Sequence, residues 1–471
     1  MDKYWRTHHI HGIAPIGHQQ NQECNADIRL HPIRILKHQK VKTEHLGSKI
    51  REGLHDMCYI WAKEMTTTVK DEGVLIFFIL VPLLYPLLYS WVYCKQVVHE
   101  VPVAVVDMSN SSMSRQFIRN YDATPDVKVS YHCNNIEEAK QLMGKRIVRG
   151  AIYFPSDFEK NIMRGDQSKV SVFCDMSIMM YYKAVYQSAV SISSELNTRI
   201  QIKNAHNFTN KDDEITTAPL LYDAVPIFNS TGGYADSIIP AVLMLVLFQT
   251  LVLGIGLGAG TARETNRYRD LVPLSLHYNG IFRIVLGKSL CYFMVYCVMA
   301  AYITLVVPKI FGFVQLFDAV ELIGLMVPFL LATIFFGMIV SCTIRYRENV
   351  MLIVVFMSVP LLFLSGVSWP QSNIPGAWRA VACLFPSTFG IRGFVRLNTM
   401  DATLADIQLE YQALWIQVAV YFFITCLVYH YQIKLSHYHA NEQLKKMKRI
   451  ATHAKELKLK ALAEATKQAK S

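Results

Sequence analysis

The sequence predicts a polytopic α-helical membrane protein with six transmembrane helices and an external α/β domain between the first and second spans. Three observations predict it. Six apolar runs are each long enough to cross a hydrocarbon core, which takes about 20 helical residues. Hydrophobic residues make up 52% of the 471 residues and charged ones only 18%, less charge than a soluble chain of this size normally carries. Residues 95–236, between the first run and the second, change texture to short β-rich stretches alternating with polar helical ones.

Taken in order, the first element is not apolar. From Met1 to Asp56 the chain is polar and shows no sustained period, and it holds half of the 16 histidines, including His8, His9 and His11. No second ligand set on a visible fold accompanies them, so no metal site is expected. The stretch reads as a disordered extension, or as sequence upstream of the true start with Met57 as initiator, and it lacks the apolar core of a signal peptide. Met57, Trp61, Met65 and Val69 then recur every four residues, which predicts a cytoplasmic interfacial helix over 57–72 leading into the first span.

The spans read as 73–94, 237–260, 285–307, 319–342, 350–369 and 411–431. No Asp, Glu, Lys, Arg or His occurs between Val74 and Cys94, Ile238 and Gly260, Ser289 and Pro308, Leu322 and Ile344, or Val350 and Trp378. Orientation follows the Lys and Arg bias of the short connections. Arg263, Arg267, Arg269, Arg283 and Lys288 lie in 261–288, Arg345 and Arg347 in the next inner loop, and residues 432–471 form a basic tail with ten Lys or Arg against three acids. Those three segments are therefore inside, and both termini are cytoplasmic. The bias also accounts for the net charge of +11 without a nucleic-acid partner, and the tail suits anionic lipid headgroups.

Within 95–236, Val101–Asp107, Val127–Tyr131, Val148–Phe154 and Val170–Phe173 read as strands alternating with helices, which implies a largely parallel sheet. Ile178, Tyr182, Val185, Ala189, Ile192, Leu196 and Ile200 continue at helical spacing as a long helix returning to the membrane. Cys133 and Cys174 fall in strand-like stretches of this external domain and are candidates for a disulfide in an oxidising compartment. The other cysteines show no CxxC spacing and indicate no zinc site.

Asp107, Ser109, Ser111, Ser112, Ser114 and Arg115 follow the first strand, where α/β folds place ligand sites, but Asp and Ser there also suit a turn and a capped helix start. No GxSxG or HExxH occurs, and Gly287-Lys288-Ser289 lacks the glycine five places earlier that a phosphate loop needs, Phe282 standing there. Catalytic, metal-binding and cofactor residues are thus not expected in this chain. Spans without ionisable groups also disfavour coupling to protons or ions, so energy for any pumping must come from elsewhere.

Two segments point to mechanism. The inner connection 261–284 mixes Arg263, Glu264, Arg267, Arg269 and Asp270 with Leu271, Leu274 and Leu276, as a short helix docking on a cytosolic partner would. After the fifth span, Ser365, Gly366, Trp369, Pro370, Pro375, Trp378, Pro386 and Arg392 predict broken helices, an external hairpin over 369–390, with both tryptophans at the water interface.

Over residues 57–431 these features resemble the type 2 ABC transporter permeases, in the branch with one span, a large external domain, then five spans. The likeness is carried by Val-Pro-Val-Ala-Val-Val-Asp at 101–107, Ser111 to Arg115, Gly150, Pro155, Asp157, Phe158, Phe228, Asn229, Pro240, Arg263 with Glu264, Gly287 with Lys288, and the hairpin residues from Ser365 to Pro386. The chain departs from the family at Asn266, Arg267 and Tyr268, where Gly-Thr is usual, and at Ser230, where Pro is common. The resemblance implies a permease subunit of an ATP-driven exporter in the bacterial inner membrane, moving a drug-like, lipid or other amphipathic substrate outward. It also implies ATP hydrolysis on separate ABC ATPase subunits, coupling through Arg263, Glu264, Arg267, Arg269 and Leu271, a second permease copy or paralogue, and a periplasmic adaptor. The alternative is a non-transport membrane protein whose external domain binds a ligand or phage.

Overall fold

Helix α1 (Leu46–Lys70) opens the part of the chain described by the computed structural model, residues 46–205, 209–218, 227–229, 233–266, 270–272, 280–344 and 346–468. It is already helical from Leu46, ahead of the expected Met57, so the last part of the expected polar extension is helical. Its buried stripe also differs from the expected one. Asp56, Ile60 and Thr68 are buried with Glu64 half-buried between them, whereas Val69 on the expected face is exposed. The stripe contains two carboxylates because it packs on a helix that offers cations, which hydropathy cannot reveal.

Asp71 separates α1 from α2 (Glu72–Tyr93). Its Oδ1 accepts from the amides of Gly73 and Val74 at 3.0 and 3.2 Å, satisfying donors that a helix start leaves unpaired. A π-turn over Ile76–Leu80 widens α2 just before Pro82, whose ring would otherwise press on the carbonyl four residues back.

The sheet domain follows. Its strands are β1 (Val101–Asp107), β2 (Val127–Cys133), β3 (Gly150–Phe154) and β4 (Ser171–Cys174), in the order β2-β1-β3-β4. β1 is parallel to both neighbours and β4 runs antiparallel at the edge. Between the strands lie α3 (Ser112–Asp122), α4 (Ile136–Gly144) and α5 (Phe158–Arg164), and after them come α6 (Met179–Ala205) and α7 (Asn210–Thr217). The apolar stripe of α6, Val185, Ala189, Ile192 and Leu196, closes one sheet face with Val101, Val103, Val105, Phe117 and Tyr121. Buried Tyr121 donates to the Val185 carbonyl at 3.1 Å, and burial pushes its phenol well above the usual range, so it remains a donor.

The disulfide expected between Cys133 and Cys174 is absent, and both are free thiols. Their strands are the two edges of the sheet, three strand spacings or about 14 Å apart. A bridge requires Cα atoms within about 7 Å.

The remaining spans are α8 (Tyr234–Thr265), α9 (Ile281–Phe311), α10 (Ala319–Thr343) and α11 (Arg347–Leu364). The chain then forms α12 (Gly376–Ala382) and α13 (Pro386–Met400), bent by 89° to each other, and ends in α14 (Gln408–Gln468). Among the described residues, the helices long and apolar enough to cross a membrane are α2, α8, α9, α10, α11 and the first part of α14, and the bent pair of α12 and α13 passes the same test only when taken together. α8 is central, its most apolar stretch 89% buried, while those of α2 and α11 are 28% and 22% buried. Two glycines permit this. A Cβ on Gly254 would stand 2.2 Å from the Phe78 ring of α2, and one on Gly256 2.2 Å from Val350 of α11. Small residues at such crossings let helix backbones approach where no hydrophobic effect drives them together.

α9 repeats the device seen in α2, with a π-turn over Tyr302–Val306 before Pro308. Pro308 cannot donate to the Thr304 carbonyl, and the Gln315 side-chain amide does so instead at 2.6 Å.

Candidate functional site

The alternating spans give the bundle a sheet end, which carries the sheet domain, and a far end. Polar side chains concentrate at both.

At the far end, α1 is tied to the bundle by three carboxylate–cation pairs. Asp56 meets Arg283 at 2.6 Å, Glu64 meets Lys288 at 2.8 Å through both oxygens, and Asp71 meets Arg347 at 2.9 Å. Asp56 and Glu64 of α1 reach α9, and Asp71, at the joint between α1 and α2, reaches α11, so α1 and this joint together bridge two spans. Tyr292 also donates to Glu64, and Thr261 of α8 to Asp71. Burial pushes the Asp71 pKa up, but hydrogen bonds from Thr261, the Val74 amide and Arg347 outweigh it and hold the carboxyl below its usual value of 3.8. Asp71 is therefore charged at neutral pH. A Cβ at Gly287 would meet Ile60 and the Met57 carbonyl at 3.0 Å, which shows how closely α1 seats on α9.

The expected coupling residues fall in this layer but face differently. Arg263 is buried, donating to the Cys342 carbonyl at 3.0 Å and to the Ile344 carbonyl, and so caps the C-terminus of α10. Leu271 is 1% exposed within the bundle's own core, so it docks on this chain rather than on a partner. Glu264 is exposed. Arg267 and Arg269 lie outside the described residues, as do Leu274 and Leu276. Of the segment's described residues, 261–265 end α8 and 281–284 open α9, and Asn266, Asp270 to Val272 and Gly280 between them are not helical. Asp270 pairs with His439 of α14 at 2.9 Å and Ser436 donates to the Val272 carbonyl at 3.1 Å, binding this loop to the last helix.

At the sheet end, buried Ser365 donates to the Leu362 carbonyl at 2.6 Å, and Gly366, at φ +88°, turns the chain back. A left-handed backbone there favours glycine. Arg392 of α13 donates to the Ser365 carbonyl at 2.8 Å and reaches the Leu364 carbonyl at 3.4 Å, capping α11 much as Arg263 caps α10. The prolines begin helices rather than merely ending one. Pro370 precedes a 3-10 turn, Pro375 precedes α12, and Pro386 starts α13. Trp369 and Trp378 are 54% and 58% exposed, as interfacial anchors would be. α13 itself is buried against α8, α10 and α14, and a Cβ on Gly390 would lie 2.3 Å from Phe329 of α10.

Between the sheet domain and the bundle lies a cavity of about 270 Å³, lined by Gln96, Met179, Met180, Lys183, Asn229 and Ser237 among others. The Asp107 cluster is no such opening. Asp107 accepts from the amides of Ser109 and Asn110 at 3.0 Å and from the Ser114 hydroxyl at 2.7 Å, and Ser111 with Ser114 forms a capping box. The cluster is a turn and a helix start.

The hydropathy pattern singles out the inner cations Arg283, Lys288 and Arg347 but not Asp56, Glu64 and Asp71, the acids they meet. The available signal was their spacing of eight and seven residues, which places all three acids on one face of α1 and its continuation.

Residues 73–427 match the family model described as ABC-2 family transporter protein. No curated protein matches the chain.

Proposed function

Because the chain belongs to the ABC-2 transporter family, we propose that it is the membrane permease of an ATP-driven exporter in the bacterial cytoplasmic membrane. In this reading separate ABC ATPases bind at the far end, which is cytoplasmic together with α1 and the tail, while the sheet domain stands outside. The observation that carries the reading is the carboxylate–cation layer that joins α1 to α9 and the α1–α2 joint at Asp71 to α11. A motor bound there and pressing on α1 moves the bases of the third and fifth spans as one body, because breaking a buried ion pair costs more than moving it intact.

The exposed faces of α2 and α11, with Leu84, Leu88, Leu352, Phe356 and Val359 outward, suit a second permease copy or paralogue with an apolar path between the two. Such a path takes drug-like molecules, lipids or other amphiphiles, and the cavity beneath the sheet domain lies beyond it on the way to an external adaptor. With Arg263 and Leu271 turned inward, exposed Glu264 and α1 are among the described groups that face the ATPase.

The test is co-expression with ABC ATPases of the source cell, followed by reconstitution in liposomes and ATP-dependent movement of fluorescent lipids and dyes. Co-purification of an ATPase and ATP-dependent transport are expected. Absence of both with every such ATPase would overturn the reading.

A further inference from the structure

α14 does not stop where its membrane span does. From Gln432 to Gln468 it continues as helix, and the residues after His439, at 1.5 Å per residue, carry it about 43 Å beyond the bundle. Residues 408–471 contain no Gly or Pro, the usual causes of a sharp kink, so the extension keeps the direction of the span. It leaves the bundle beside the loop between α8 and α9, held there by the His439–Asp270 and Ser436–Val272 contacts. The family match ends at residue 427, before this extension begins.

The extension is a basic arm with an apolar strip. Residues 432–471 carry ten Lys or Arg against three Glu. Lys445, Lys446, Lys448 and Arg449 are all exposed, and Met447 and Ile450, three residues apart, are 49% and 69% exposed beside them. Anionic headgroups attract such a helix only within about 8 Å at physiological salt, and an unbroken continuation of a span passes that distance within its first turns. A second copy of the arm would set like charges against like. What remains complementary is an acidic protein surface with an apolar groove, standing below the bundle next to the 266–272 loop.

We propose that residues 440–468 of α14 are a docking arm for the transporter's ATPase subunit, gripping an acidic flank of it. This rests on the exporter reading, in which the ATPase occupies the same end of the bundle. The arm adds a contact outside the membrane domain and makes assembly depend on ionic strength.

The experiment measures binding of the ATPase that supports transport to full-length permease in phosphatidylcholine nanodiscs, between 50 mM and 500 mM salt. The quadruple variant Lys445→Glu, Lys446→Glu, Lys448→Glu, Arg449→Glu and a truncation after His439 are compared with wild type. Each is expected to bind about tenfold more weakly at low salt, with a flattened salt dependence. Equal affinity and an equal salt slope for wild type and both variants would overturn the arm while leaving the exporter reading intact. Failure of wild type to bind any ABC ATPase would overturn the exporter reading itself. Protection of the arm from protease by phosphatidylglycerol nanodiscs, but not by the ATPase, would assign it to lipid and also overturn the proposal.

Discussion

At Lys288 an ammonium group sits 6% exposed with the Glu64 carboxylate 2.8 Å away, and Tyr292 holds that carboxylate from the other side. Removing one member of such a pair strands a charge in a poorly solvated place, which costs about 3–5 kcal/mol, whereas replacing both with neutral groups of similar volume is far milder. Lys288→Met and Glu64→Gln should therefore each lower unfolding stability in detergent by roughly that amount. The double variant should lie nearer wild type than either single, as read from thermal melts. Additive losses in the double variant would show that the two groups do not act as a pair. Gly287 and Lys288 were legible in the sequence as a family feature, but Glu64 lies 224 positions earlier and leaves no local trace of the contact. Arg263 was legible as a conspicuous inner cation, yet its direction was not, because a loop position says nothing about whether a guanidinium turns to carbonyls of its own bundle.

The helices themselves were mostly readable, since an apolar run of span length and an alternating β-branched strand are local patterns. Their contacts were not. Phe78 of α2 fits against Gly254 of α8 and packs on Tyr292 and Tyr296 of α9, with ring centroids 5.8 and 5.2 Å away. Because a Cβ at Gly254 would fall 2.2 Å from that ring, Gly254→Ala should push α2 off the central span. Overpacking of this kind costs about 1–3 kcal/mol. Phe78→Leu introduced into the Gly254→Ala variant should recover part of the lost thermal stability, although alone it leaves a void. No recovery in the double variant would mean that α2 docks by some other contact. The helicity of residues 46–56 escaped reading for a related reason: the inward stripe of α1 is made of Asp56, Ile60, half-buried Glu64 and Thr68, which looks polar until the cations of α9 are placed beside it.

For the whole molecule, the six proposed crossings put α1 and the extension of α14 on one side of the membrane and the sheet domain with the α11–α13 turn on the other. Charge selects which side is inside. The far end carries Arg263, Arg283, Lys288 and Arg347 in and beside its loops, while the connection 379–410 at the sheet end balances three Arg with three acids. Exposed Ser372, in the turn between α11 and α12, and exposed Thr452, on the α14 extension, report the two sides. In a background lacking the native cysteines, Ser372→Cys should react with a membrane-impermeant maleimide in intact cells, and Thr452→Cys only after the membrane is opened. Labelling of both or neither in intact cells would mean an even number of crossings between the two sites, with the bent pair α12 and α13 crossing as well as α14. The reverse pattern, with Thr452→Cys labelled first, would keep a single crossing between the two sites but invert this part of the molecule, and an ATPase at the far end would then have no ATP to use.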